Sequence, residues 1–452
     1  MKKPSENMLF SKKSLILIIT PLIIEQLLII MTGTFDSIMV SSAGEAAVSG
    51  VSLVDTVNLL LTYLFTALCS GGAIVTAQLI GQKDFSSAKE SAKQLIWVCL
   101  FLSTALTILT VFLRIPLLNL IFGKIEYDVM ESAKIYFLFT ALSYPFLAIQ
   151  SACSAIFRVT GNSKTPMLIS LLANLVNICG NAILIYVFNM GAAGAAIATL
   201  FSRIISALIS IIIAHSKKQI LHIDNVFKYK PQFYLIKKMC AIGIPNGVEN
   251  AMFQLGKVLT QSLISGFGTI QIAANAVANS LSNIQYASGT AISISMNTVV
   301  GQCVGAEEKE QAKYYTKKLL SIAYVCIIFV SIILCVFAEP IISLYNLPYE
   351  SSNIARNIMY LHSAFICSIW PLAFPLSNAF RSASDVKYTM IIAMFSMWTF
   401  RVGLSYVFAL LLGLEVYGVW FAMFCDWFFR FIVFSIRFKK GTWLSAYNRL
   451  QT

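Results

Sequence analysis

The chain alternates between long apolar runs and short polar breaks. Runs of about 20 residues or more, each able to cross the hydrocarbon core as a helix, fall near 14–38, 48–78, 93–113, 133–157, 166–188 and 190–214. A second set falls near 236–262, 272–302, 319–338, 357–380, 388–411 and 414–437. The pattern predicts twelve transmembrane helices, six in each half. Because six is even, both halves enter the membrane from the same side. The expected fold class is an all-α integral membrane protein built from two parallel six-helix repeats.

The halves are diverged copies. A shift of 224 residues puts Pro21 on Pro245, Glu25 on Glu249, Gly44 on Gly268, Gln78 on Gln302, Gly81 on Gly305 and Lys93 on Lys317 without a gap. Further on, Gly194 meets Gly418, and Phe157-Arg158 meets Phe380-Arg381 with one residue of slip. The expected domains are an N-terminal lobe at 1–214, a linker at 215–235, a C-terminal lobe at 236–438 and a tail at 439–452. Duplicated hydrophobic halves are the mark of a transporter.

Composition agrees. Apolar residues make up 58% of the chain and charged ones 12%, against about 45–50% and 25% in soluble domains. The lysines of the first 13 residues resemble the start of a signal peptide. The apolar run after them continues too far and lacks a small-residue cleavage site, so it is expected to remain as the first span. Ten cysteines, scattered singly, read as small packing residues.

The net charge of +13 is distributed by topology. Lys2, Lys3, Lys12 and Lys13 precede the first span; Lys83, Lys89 and Lys93 follow the second; Arg158 and Lys164 follow the fourth; and Lys217, Lys218, Lys228, Lys230, Lys237 and Lys238 follow the sixth. In the second half Lys309, Lys313, Lys317, Lys318, Arg381, Lys387, Arg437, Lys439 and Lys440 repeat the pattern, while the opposite loops hold little beyond Arg114, Lys124 and Arg356. By the positive-inside rule both termini and the linker are cytoplasmic, in a multi-pass protein of the cell membrane. Lipid is the expected partner of this charge, and nucleic acid is not. His215 and His222 lack cysteine or carboxylate company at ligand spacing, so no metal site is expected there. No nucleotide or cofactor motif appears, and no HExxH or GxSxG lies within a span, so the chain does not read as an enzyme.

Ionisable groups inside spans cost roughly 2.5–3.5 kcal/mol each on insertion scales and ordinarily face a cavity or a partner. Glu25 and Asp36 are 11 residues apart in the first span, within about 20° of one helix face and roughly 16 Å apart along it. Pro21 and Pro245 each precede a glutamate by four residues. A proline frees a carbonyl and bends a helix, so Glu25 and Glu249 read either as cavity groups or as repair of that defect. Asp55, Asn58 and Thr62 form a polar stripe on the second span, and Asn275, Asn279, Ser282 and Tyr286 form its counterpart on the eighth. Such stripes are either interhelical hydrogen-bond contacts or walls of a wet cavity.

The fifth span carries Asn174, Asn177 and Asn181, and Thr199 follows the small run GAAGAAIAT of the sixth. With Asp36 these groups compose an all-oxygen pocket fit for sodium or for a protonatable carboxylate, or else helix-to-helix contacts. At the 224 offset Asp36 falls on Thr260, and Lys257 appears in the seventh span, so the copies have specialised. Lys257 is expected to pair with a carboxylate such as Glu249, and Arg401 or Arg430 with Asp426.

Together these segments resemble the multidrug and toxic compound extrusion (MATE) family. The resemblance is carried by PLIIEQLLIIMTGTFDSIMVSSAG, TAQLIGQKDFSSAK, FRVTGNSKTP, LANLVNICGNAILIYVF with GAAGAAIAT, and IPNGVEN, and it spans essentially the whole chain. It implies a V-shaped twelve-helix carrier, here expected to be a monomer, that exports organic cations in exchange for protons or sodium without a bound cofactor. It also implies a cation or proton site at Asp36, Asn177, Asn181 and Thr199, and a cavity-facing Glu249. Many sodium-binding relatives carry a second acid where this chain has Asn181, which tilts the expectation toward protons. Counted within the spans, Glu25, Asp36, Asp55 and Glu249 stand against Lys257. That balance favours cationic cargo over the rival reading, a flippase for a phosphate-bearing lipid-linked substrate, whose cavity would be lined with arginine or lysine.

Overall fold

The computed structural model describes residues 8–123, 125–223 and 230–449. Lys2, Lys3, Lys124, residues 224–229 of the linker (with Lys228) and the last three residues of the tail lie outside them. Among the described residues the first half forms α1 (Lys12–Ser41), α2 (Glu45–Gly81), α3 (Phe85–Phe122), α4 (Tyr127–Leu142 and Tyr144–Val159, bent by 44°), α5 (Lys164–Val187) and α6 (Gly191–Ala214). The second half forms α7 (Phe233–Ser265), α8 (Thr269–Gly305), α9 (Lys309–Val336), α10 (Tyr349–Ser368 and Trp370–Ser382, bent by 58°), α11 (Val386–Leu411) and α12 (Glu415–Lys440). The bends fall at equivalent places: α4 and α10 are each the fourth helix of their copy.

Eight of these helices are long and apolar enough to cross a membrane, and ten if each bent pair counts as one span. The other two, α7 and α8, have 33 and 37 residues. They have the length of a span but not its apolarity. Asn246, Glu249, Gln254 and Lys257 interrupt α7, and Asn275, Asn279, Ser282 and Gln285 interrupt α8. Their place in the repeat, opposite α1 and α2, identifies them as the seventh and eighth helices of the twelve-helix layout.

Local chemistry sets the helix ends. Gly44 and Gly268 open α2 and α8 at φ 101° and 92°, a conformation that glycine adopts without a Cβ clash. Both copies therefore keep it. Asp84 caps α3 by accepting the Ser87 N–H at 3.0 Å, and this hydrogen bond holds its carboxyl below the usual range. At the other end of the chain Arg437 forks onto both oxygens of Asp385, at 2.6 and 2.9 Å, tying the last turn of α12 to the turn before α11.

Packing divides the chain into two compact units, one of Ile16–Gly247 and one of Met1–Leu15 with Val248–Thr452. The division runs through α1 and α7, so each packing unit takes in the opening turns of the other copy's first helix. In the second unit Leu9 N donates to Gln311 Oε1 at 3.0 Å, Phe10 N donates to the Tyr315 hydroxyl at 2.9 Å, and that hydroxyl donates to the Phe10 carbonyl at 2.6 Å. In the first unit Gly71 lies so close to the start of α7 that a Cβ would fall 2.6 Å from the Met239 carbonyl oxygen. The first unit's core includes Val54, Ala133, Phe137, Ile185 and Ala196. The core of the second includes Leu281, Ile358, Trp420 and Trp427.

Two ion pairs recur at equivalent positions. Glu25 of α1 accepts from Arg158, in the last turn of α4, at 2.6 Å, and Glu249 of α7 accepts from Arg381, in the last turn of α10, at 2.5 Å. This corrects the expected pairing of Glu249 with Lys257. Eight residues on, Lys257 is rotated by about 80° from Glu249 and displaced about 12 Å along the axis, whereas Arg381 arrives from a facing helix. Arg158 and Arg381, expected as loop charges, are therefore structural partners. Of the two candidates for Asp426, Arg430 is the partner, at 2.8 Å and one turn away.

Removing one member of a buried pair strands the other. Arg381→Gln is expected to destabilise the protein by about 3 kcal/mol, read as a lowered thermal midpoint in detergent, and the double variant with Glu249→Gln to recover most of that loss. Equal losses in the single and double variants would sink the ion-pair account.

Candidate functional site

Asp36 stands near the C-terminal end of α1, half-buried. The Asn181 amide donates to Asp36 Oδ1 at 2.6 Å and to Asn177 Oδ1 at 3.4 Å, and the Asn177 amide donates to Thr199 Oγ1 at 3.2 Å. The structure thus brings Asp36, Asn177, Asn181 and Thr199 into one hydrogen-bonded series across α1, α5 and α6. Asn177 and Asn181 lie one turn apart on a helical face. Directly after Asn181 the helix widens into a π-helical stretch, Ala182–Val187, a local form frequent at functional sites. Asn181 Oδ1 is buried and accepts no hydrogen bond among the described residues. Asn174 serves differently: its amide donates to the Leu28 carbonyl of α1 at 3.2 Å, a plain interhelical contact.

A second polar group sits on α2 and α4. Asp55 Oδ1 accepts from Asn58 Nδ2 at 3.2 Å and from the Tyr136 hydroxyl at 3.1 Å, and Asn58 Oδ1 accepts from the Tyr144 hydroxyl at 2.7 Å. Arg203 of α6 donates to Ser143 Oγ at 2.6 Å, and its charge acts on both Asp36 and Asp55. Among the described residues none of the three forms a direct ion pair. Two carboxylates and one guanidinium leave this region with a formal charge of −1.

The polar stripe of α8 has its own partners in the second unit. The Asn275 amide donates to Gln261 Oε1 at 3.1 Å, and Asn275 Oδ1 accepts from Trp420 Nε1 at 3.0 Å. The Asn279 amide turns back to the Asn275 carbonyl of its own helix at 2.9 Å. The Tyr286 hydroxyl meets His362 Nε2 at 2.9 Å, and His362 Nδ1 meets Gln285 Oε1 at 2.5 Å. Gln285 in turn donates to Ser331 and Ser363, so this part of the stripe is a closed network in a packed core.

Of the remaining expected site residues, Glu25 and Glu249 are held in ion pairs, so their charges are not free to attract a cationic cargo. Pro21 and Pro245 lie inside continuous helices. Lys257 is exposed, and among the described residues its side chain makes no hydrogen bond or ion pair. The simple balance of acids against Lys257 is also corrected, because Arg158, Arg203, Arg381 and Arg401 belong in it. Sequence reasoning passed over Arg203 and His362, although an ionisable residue in the middle of an apolar run was signal enough. Tyr136 and Tyr144 carried no such signal, since buried tyrosines are common. Among the described residues no three of His, Cys, Asp and Glu gather as a metal-ligand group. The Asp36 cluster is chemically able to hold a proton or a small monovalent cation.

Comparison with known proteins gives this geometry its setting. The MatE family model matches residues 21–183 and 245–407, two segments offset by the same 224 residues as the internal repeat. The chain is 25% identical to the uncharacterized transporter YisQ of Bacillus subtilis (strain 168), over 98% of this chain and 97% of that protein. It is also 25% identical to the probable multidrug resistance protein NorM of Thermotoga maritima, over 97% and 95% respectively. Among solved structures, an outward-facing multidrug resistance MATE family transporter of the MOP superfamily superposes with a TM-score of 0.89 at 20% identity, covering 97% of each chain. A MATE structure in the bent conformation gives 0.86 at 21% identity, covering 98% and 97%. With the family model matched once on each copy of its repeat, this chain belongs to the MATE family of multidrug and toxic compound efflux transporters.

Proposed function

We propose that this transporter exports organic cations in exchange for protons, with Asp36 as the proton site. The observation that carries the proposal is the buried, unpartnered Asn181 Oδ1 beside Asp36. When Asp36 takes a proton, its second oxygen becomes a donor and Asn181 Oδ1 its acceptor, while the amide N–H still donates to Oδ1. Acid and amide then close a two-bond ring. An orphaned buried acceptor costs about 1–3 kcal/mol, and protonation removes that cost. It also brings the charge of the Asp36, Asp55 and Arg203 region from −1 to neutral.

Sodium is less well served. A hard cation requires several oxygen ligands, preferably anionic, and position 181 supplies an amide where a second carboxylate would stand. Arg203 adds a positive charge that disfavours another fixed cation. Asp36 and Asp55 supply the negative charge that draws a cationic cargo, and protonating Asp36 halves it. Proton and drug therefore oppose each other at one carboxylate, which is the linkage that antiport needs, provided that Asp36 binds the proton differently in outward- and inward-open states. Bending of α1 at Pro21, where one backbone hydrogen bond is missing, is the proposed means of moving Asp36 relative to α5 as access alternates. The lysine and arginine distribution supports cytoplasmic termini in the cell membrane.

The test is efflux of a fluorescent organic cation from proteoliposomes under an imposed pH gradient or an imposed sodium gradient. The wild type is expected to respond to the pH gradient alone, and Asp36→Asn to lose at least about tenfold of that response, equivalent to about 1.4 kcal/mol of lost coupling. Transport driven by sodium alone would overturn the proton assignment, and failure to move any of a panel of cations would overturn the cargo. Asn181→Asp, which restores a second carboxylate, is expected to make export respond to the sodium gradient. An unchanged ion preference in that variant would show that position 181 does not select the ion.

A further inference from the structure

The two copies of the repeat carry opposite charge on equivalent pairs of helices. In the first unit α1 and α5 hold Asp36 with Asn177 and Asn181. The 224-residue shift puts Gly33 on Lys257, Asp36 on Thr260 and Asn177 on Arg401. Where the α1 and α5 pair bears an acid and two amides, the α7 and α11 pair bears two cations.

Close packing of α7 on α11 brings those cations within range of each other's charge. Gly256 allows α11 to approach α7 closely: a Cβ there would fall 2.3 Å from Met397 Cε and 3.3 Å from Val402 Cγ2. Met397 and Val402 belong to a π-helical stretch, Met397–Gly403, which also carries Arg401. Lys257 comes directly after Gly256, and its charge is opposed by that of Arg401. The carboxylates of this unit that lie deep in its helices are already engaged. Glu249 accepts from Arg381, and Asp426 accepts from Arg430 and from the Ser396 hydroxyl. Among the described residues neither Lys257 nor Arg401 forms an ion pair, and neither side chain donates a hydrogen bond. The Arg401 guanidinium carbon lies 5.1 Å from the centre of the Phe253 ring, a contact that leaves its N–H groups unused.

We infer that Lys257 and Arg401 form an anion site that takes the carboxylate or phosphate head of an amphipathic molecule. An arginine supplies a fork of donors matched to either head, and a lysine beside it adds a point charge. Phe253, one turn before Lys257 and against Arg401, with exposed Val258 and Trp398, offers apolar surface for the body of the ligand. The site lies wholly within one unit and does not involve Asp36, so it goes beyond the proposed proton-coupled export and is tested by binding rather than transport.

The test uses full-length protein in phosphatidylcholine nanodiscs and the fluorescent amphiphile 11-(dansylamino)undecanoic acid, with its methyl ester as the uncharged match. Wild type is expected to bind the acid at least tenfold more tightly than the ester. Lys257→Gln and Arg401→Gln should each weaken acid binding about tenfold, while Lys257→Arg and Arg401→Lys retain it, which separates loss of charge from loss of fold. Adding phosphatidylglycerol distinguishes the occupants. Displacement of the probe identifies a lipid headgroup, and undisturbed binding identifies a free amphiphile; either supports the site. The inference is overturned if wild type binds acid and ester alike, or if the Lys257→Gln/Arg401→Gln double variant binds the acid as wild type does. Cation export in the proteoliposome assay does not depend on either binding outcome.

Discussion

A charge withdrawn from water must meet an opposite charge or a set of hydrogen bonds, and that requirement arranges the helices of this protein. In each copy of the repeat it ties the first helix to the fourth, through Glu25 and Arg158 or Glu249 and Arg381. These pairs survive in both copies although most of the surrounding sequence has diverged. Where the copies agree, charge is neutralised and serves the fold. Asp36 and Asp55 in one unit and Lys257 and Arg401 in the other have no charged counterpart in the opposite copy and lack a direct ion-pair partner, whereas Asp426 and Asp385, equally without counterparts, are paired with Arg430 and Arg437.

The same contrast explains what could be read from the sequence. The twelve-helix layout was legible because apolar runs and a gapless offset are properties of the chain itself. Only α7 and α8 fell short of the apolarity expected of a span, because each carries a run of polar groups, some of them met by neighbouring helices, as Glu249 is by Arg381 and Gln285 by Ser331 and Ser363. The gathering of Asp36, Asn177, Asn181 and Thr199 was legible as well: the two asparagines share a helix face by spacing, and the small run before Thr199 permits close approach. The partner of Glu249 was not legible. A helical face says which way a side chain points but not which helix will stand opposite, and Arg381 lies 132 positions away. Lys257, nearer in sequence, was the natural choice and the wrong one.

Local irregularity in the backbone marks the specialised helices. The π-helical stretches of the first unit and of the second lie in α5 and α11, the fifth helix of each copy, at Ala182–Val187, Met397–Gly403 and Val407–Leu411. A π-turn inserts a residue and rotates the later side chains around the helix axis. Asn181 borders one such stretch and Arg401 lies within another. The fifth helix of each copy thus carries the same kind of backbone irregularity close to its polar residues, after Asn181 in one and around Arg401 in the other.

The opening turns of α1 and α7 carry an implication for how the molecule is made. Residues up to Leu15 complete the second packing unit, and residues as far as Gly247 complete the first. During synthesis the first unit must wait until the chain beyond the linker has emerged, because the strip that packs against Gly71 is still unmade when α6 is finished. The earliest residues meanwhile have no permanent seat until Gln311 and Tyr315 appear. Neither six-helix half coincides with a packing unit, so each core is completed by the opening turns of the other copy's first helix.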